Sequence, residues 1–228
     1  MRREDLINMV KPNEEQRGLQ RDYIRILLLE HDIDTDGKAY SSAAKRKDIL
    51  DCFQLLKKAF IPYSILYDNL KHFKTYGGND KELMESIKKL KAKLELMKYL
   101  RNKMSGHLDD GVIDNALQWQ PILFSNDVIK NDKSVLICYL GLFEASINSY
   151  IDKEEQRYFG HDIDLCYPQD WEEFITFIND TCSLSLSLLG KLKNKLLPRI
   201  ELAKTEQDLI EKSIWAGETD FKLKKRNR

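Results

Sequence analysis

Apolar residues recur at steps of three and four along most of the chain, the period of helices that bury one face. The clearest stretch is Leu83, Ile87, Leu90, Leu94 and Met97, which together form one continuous seam. Asn79 stands ahead of it with Glu82 three residues on, the spacing of a capping box, and Gly77-Gly78 breaks the chain just before. Upstream, the pattern predicts a helix over 14–31, opened by Asn13 with two glutamates behind it, and a second over about Ser41 to Tyr76. Pro62 should kink or split that second helix, because proline lacks a backbone donor and crowds the preceding turn. Residues 110–132 read as mixed and irregular, with Pro121 among several Asp and Asn. Further helices are predicted over 134–151, from Pro168 toward Pro198, and on to about Trp215. The start of the first of these, "SVLICYL", has strand-like composition, but its length and helical neighbours favour helix.

These elements predict an all-α protein, an antiparallel helical bundle with additional C-terminal helices. The expected organisation is one domain over residues 1–220, with a bundle core at about 40–155 and a helical extension at about 168–216. A basic tail follows over 221–228. "HDID" occurs at 31–34 and again at 161–164, but the flanks do not match, which argues against an internal repeat. "DIDTDGKAYSSA" at 32–43 resembles the start of a calcium-binding loop, with Asp32, Asp34, Asp36 and Gly37 at the right offsets. The twelfth position is Ala43 where two carboxylate oxygens are needed, so the stretch reads as an acidic, turn-forming link between helices.

Charge changes the picture through its distribution. Lys+Arg and Asp+Glu balance at 37 each over 228 residues, so net charge names no partner. From Lys88 to Lys103, however, seven cations face a single acid, Glu95, and five more crowd the last seven residues. Such runs attract anions, although a basic helix face is commonly just solvated. The four cysteines share no metal-ligand spacing, and no signal-like stretch stands in front, so reduced thiols in a cytoplasmic protein are expected. No metal and no cofactor is expected. No apolar run approaches the ~20 residues of a membrane helix, so no membrane partner is expected either.

Continued by the same steps, the seam at 83–97 arrives at Arg101 and then Met104. A guanidinium on a burying line must find acceptors, since it cannot shed its proton. Asn102 follows it, and Gly106 lets the chain turn before His107. Six positions apart on an ideal helix, two side chains point about 120° away from each other. Arg101 and His107 therefore converge only if the helix ends near Gly106, or if two chains pool their copies. The plain alternative is a helix end: cations favour the C-terminal dipole, and Gly followed by His is a common stop. Spacing alone is weak evidence, because Arg25 and His31 share it inside "IRILLLEH" without the polar neighbour or the glycine, while Arg157 and His161 are too close.

"LRNKMSGH" at 100–107 resembles the signature of the HEPN superfamily, an arginine, a polar residue and a histidine after four to six intervening positions. The resemblance covers the motif and the bundle from about 40 to 155. It implies a helical bundle that forms a symmetric homodimer. Many members are metal-independent RNA endonucleases of toxin–antitoxin, abortive-infection and antiviral defence systems, whereas others are non-catalytic binding partners. The residue types suit RNA cleavage through the 2′-hydroxyl, which leaves 2′,3′-cyclic phosphate ends. His107 can move a proton near neutral pH, Arg101 can stabilise charge on the transition state, and Asn102 can orient the histidine or the phosphate. The lysines Lys88, Lys91, Lys98 and Lys103 can guide the phosphate backbone. RNA and an antitoxin or regulatory protein are thus the expected partners. The competing reading is a non-catalytic helical module that binds a partner protein or a nucleotide.

Overall fold

The structure, a computed structural model, describes residues 14–106, 108–130, 134–152 and 154–216. Of these, 82 % are helical and none forms a strand; a single isolated bridge joins Ile151 to Arg157. The all-α class predicted from the hydrophobic period therefore holds. Eight helices are described: α1 (Glu14–Arg46), α2 (Ile49–Phe73), α3 (Lys81–Leu100), α4 (Asp110–Trp119), α5 (Asn126–Ile129), α6 (Ser134–Asn148), α7 (Pro168–Leu196) and α8 (Glu206–Ala216). No described helix is long and apolar enough to cross a membrane. All four cysteines are free. Asn13, expected to cap α1, and the basic tail lie outside the described residues.

The chain divides into two compact units, one of residues 26–193 and one of residues 1–25 with 194–228. In the smaller unit Gln16 clamps the backbone after α7, donating from Nε2 to the Arg199 carbonyl (3.0 Å) and accepting from Glu201 N (3.1 Å). The larger unit is organised around aromatic rings from three helices. Phe143 of α6 lies with its ring centroid 4.9 Å from Phe53 and 5.8 Å from Phe60, both on α2, and 6.4 Å from Phe174 on α7. All four are fully buried, so this nucleus carries much of the apolar burial that holds α2, α6 and α7 together.

Four sequence expectations change. α1 does not stop at residue 31; it runs on to Arg46, so the calcium-loop lookalike is helical and links nothing. The reason is a seam with a carboxylate in it. Leu29, Ile33, Asp36 and Ala43 are all buried at steps of helical period, and Asp36 is neutralised by Lys58 Nζ at 2.8 Å. Gly37 sits where a Cβ would touch Cys182 Sγ of α7 at 3.4 Å. α1 is closed off at Lys47, whose φ of 60° completes a Schellman turn: Lys47 N bonds Ala44 O and Asp48 N bonds Ala43 O. Asp48 then caps α2 by accepting from Asp51 N at 3.0 Å.

The second change is at Pro62, where α2 continues unbroken from Ile49 to Phe73. An interior proline costs about 3 kcal/mol. Phe60, Tyr63 and Leu66, all buried around it, each return about 1.5–3 kcal/mol. Tertiary packing wins. The third is at the start of α3, where Asp80, not Asn79, accepts from Leu83 N at 2.9 Å. Glu82 is left out of the cap and takes Lys191 of α7 at 2.6 Å instead. The described part of 110–132, residues 110–130, is also more regular than its composition suggested, with α4, a 3₁₀ turn at Pro121–Phe124 and the short α5.

Candidate functional site

The predicted seam of α3 is buried as expected, at Leu83, Ile87, Leu90, Leu94 and Met97, and it extends to Leu100. At Arg101 the helix widens into a π turn over Arg101–Gly106. Such turns insert an extra residue into the helical repeat and rotate the residues beyond it, and they are frequent where a helix presents a functional group. Met104 stays buried, which keeps the turn on the core side. Ser105 Oγ donates to the Lys57 carbonyl of α2 at 2.8 Å and pins the turn from another side.

Lys103 completes the latch. Its Nζ bonds Asp109 Oδ2 at 2.7 Å and lies 5.7 Å from the centroid of the Tyr99 ring. Asp109 also caps α4, its Oδ1 accepting from Val112 N at 3.2 Å. The hydrogen bond to Lys103 holds the Asp109 carboxyl below the ordinary carboxylate value and raises the lysine in return. Lys103 and Asp109 flank His107 in the chain, and their ion pair ties the two sides together. His107 itself lies outside the described residues.

Arg101 is half-buried at the mouth of this turn and Asn102 is exposed beside it. The Arg101 guanidinium donates through Nη1 to Asn102 Oδ1 at 3.1 Å. Among the described residues no carboxylate pairs with it, unlike the neighbouring lysines. Lys93 pairs with Asp180 at 3.5 Å, and Lys98 pairs with Asp68 while its Nζ lies 5.0 Å from the Tyr67 ring centroid. Most of the Arg101 donor fork thus has no acceptor side chain other than Asn102 among the described residues.

The basic run predicted as one surface is therefore two. Lys98 and Lys103 hold the fold together through carboxylates. Lys88 and Lys91 are exposed without ion pairs among the described residues, and both line a cleft of about 580 Å³ between α2 and α3. At 1.5 Å per residue they stand about 15–20 Å along the helix from Arg101.

Sequence reasoning missed a polar cluster on α6. Glu144 is fully buried, its Oε1 accepting from Leu165 N and its Oε2 from Gln120 Nε2, both at 2.8 Å. One turn on, Asn148 grips Ile163 both ways, donating to its carbonyl at 2.9 Å and accepting from its N–H at 2.7 Å. Together they bind the loop before α7 to α6 as a strand edge would. Ligand atoms of Glu144, Asp164 and Cys166 approach one another within 4.8 Å, the spacing of a metal cluster. One oxygen each of Glu144 and Asp164 already accepts a backbone N–H, from Leu165 and Cys166, and partial desolvation pushes the Cys166 thiol up, away from the thiolate that binds metals. The cluster works as a loop anchor. The only trace of it in the sequence is a glutamate inside an otherwise apolar helix.

Comparison of the chain with family models, with curated proteins and with solved structures finds no match.

Proposed function

We propose that this protein is a HEPN-like, metal-independent endoribonuclease of the toxin or antiviral-defence type, acting as a homodimer. The observation that carries the reading is Arg101: a half-buried guanidinium at a π turn, hydrogen-bonded to Asn102, with no carboxylate partner among the described residues. A cation so placed is left unneutralised by the described fold and suits a phosphate that arrives with the substrate. In the proposed reaction the 2′-oxygen of RNA attacks the adjacent phosphorus as a histidine takes its proton. The bond to the 5′-oxygen breaks, and that oxygen receives a proton from a second histidine. Each chain supplies one His107, so the acid and the base come from two copies. Arg101 stabilises the charge gathering on the phosphoryl oxygens, and Asn102 holds the guanidinium in line.

The test is incubation of purified protein with RNA in excess chelator. Fragments ending in 2′,3′-cyclic phosphate are expected, with cleavage lost in Arg101→Ala and His107→Ala while thermal unfolding is unchanged. Intact RNA at high protein concentration, with no growth defect on expression, overturns the proposal. An antitoxin or regulatory protein partner belongs to this reading, because an unrestrained ribonuclease harms its host.

A second reading, a non-catalytic helical module, is favoured by one observation. Ile122, Phe124 and Ile129, around α5, are each more than half exposed, and Phe124 reaches 72 %. Neighbouring apolar side chains of this size on a surface mark a contact site. On that reading Phe124→Ser abolishes capture of a partner protein and RNA is untouched by any variant.

A further inference from the structure

The cleft between α2 and α3 is built from two pairs of lysines over an apolar floor. Lys71 and Lys74 come from the end of α2 and the turn after it, Lys88 and Lys91 from α3. Each pair is spaced by three residues, which places its members on one face of its helix. All four are exposed, and none has a carboxylate partner among the described residues. The acid on this rim, Asp68, is occupied by Lys98. Leu70 and Ile87 form a buried floor, and Met84 and Tyr67 close the sides.

The cleft is also fixed in shape. A Cβ on Gly77 would lie 2.8 Å from Met84 Sδ and 3.1 Å from the Lys74 carbonyl, so glycine there permits the turn to close onto the methionine. Gly78, with φ of +50°, then reverses the chain into the Asp80 cap of α3. Sequence and backbone thus place four lysines without carboxylate partners among the described residues around a hydrophobic hollow.

We propose that this cleft binds single-stranded RNA, with phosphates on Lys71, Lys74, Lys88 and Lys91 and one base against the floor of Leu70, Ile87 and Met84. The proposal rests on the reading that this protein handles RNA, and it locates substrate about 15 Å or more from Arg101 along α3. Charge complementarity selects a polyanion, and the apolar floor selects one that carries a flat, poorly solvated group at each phosphate. An acidic peptide offers the charge without that group, and a duplex hides its bases. The lysine spacing, one turn apart on each helix, leads a strand through the cleft rather than gathering one compact phosphate.

The experiment measures binding of a fluorescein-labelled 12-nucleotide oligouridine to the full chain carrying His107→Ala, in chelator, by fluorescence anisotropy. Four phosphate contacts predict a log–log salt slope contribution of about −2.8. The double variant Lys88→Ala/Lys91→Ala and the double variant Lys71→Ala/Lys74→Ala should each reduce the slope by about 1.4. Affinity at low salt should fall about tenfold or more in each, while Lys45→Ala, on a different face of the same unit, stays within about twofold. Unchanged melting temperatures show that the variants fold. An equal loss in Lys45→Ala shows diffuse electrostatics and overturns the proposal, as does displacement of the oligomer by ATP at matched phosphate concentration. If RNA binds through these lysines yet the wild-type chain cuts nothing, the ribonuclease reading fails and the cleft stands. Cleavage at full rate in both double variants, with binding unaltered, removes the cleft and leaves the ribonuclease.

Discussion

Replacing Glu144 with leucine tests the most unusual group in the larger unit. The carboxylate is 0 % exposed and accepts from Leu165 N and Gln120 Nε2. Leucine fills the same space and leaves both donors without it. Gln120 reaches solvent and can turn to water; the N–H of the buried Leu165 cannot. One stranded buried donor costs about 1–3 kcal/mol, and the lost hydrogen bond from Gln120 adds about 1 kcal/mol, a total of about 2–4 kcal/mol. The opposing effect is the charge itself. Burial pushes the Glu144 pKa up from its ordinary value, and the bonds from Gln120 and Leu165 only partly offset it. Between the unfolded and the raised folded pKa, the native state binds more protons than the unfolded state, so stability falls as pH rises through that window. The leucine variant lacks this loss. Urea unfolding at pH 5 and pH 8 should therefore show a destabilisation of about 2–4 kcal/mol at pH 5 that shrinks at pH 8. A gap that widens with pH means the donors favour the charged form, and a variant as stable as wild type at pH 5 means Leu165 N is not held by Glu144; either refutes the reasoning.

Two other substitutions probe the frame that positions the π turn. Lys47→Gly relieves a left-handed residue at the α1–α2 junction, where a side chain costs about 1–2 kcal/mol and glycine's extra freedom in the unfolded chain returns part of that. The expected gain is about 0.5–1 kcal/mol by urea unfolding, and a loss would mean the Lys47 side chain makes a contact the geometry does not give it. Phe143→Ala empties the centre of the aromatic nucleus and should cost about 3–5 kcal/mol; a value under 1 would show that α2, α6 and α7 are held elsewhere.

How far each element could be read from the sequence depends on the physics of its signal. The α3 seam was readable to the residue because five aliphatic side chains repeat without interruption, and periodicity reports burial directly. α1 was cut short because its seam passes through Asp36, and a buried aspartate looks like a turn residue until its partner is known. That partner, Lys58, is twenty-two positions away, beyond any local pattern. The same blindness concealed the difference among the lysines of α3. Lys88 and Lys98 carry the same charge in the same run, yet Asp68, brought alongside by the turn at Gly77-Gly78, neutralises one and leaves the other without a carboxylate among the described residues. Arg101 stood out as a cation on a burying line, but the sequence offered only an ideal helix or its end as geometries there. The π turn is a third option: it lets Met104 return to the core while Arg101 stays at the surface. A motif of spaced residues names which groups to watch. Which of them remain available to a substrate is decided by the carboxylates that the fold brings to the others.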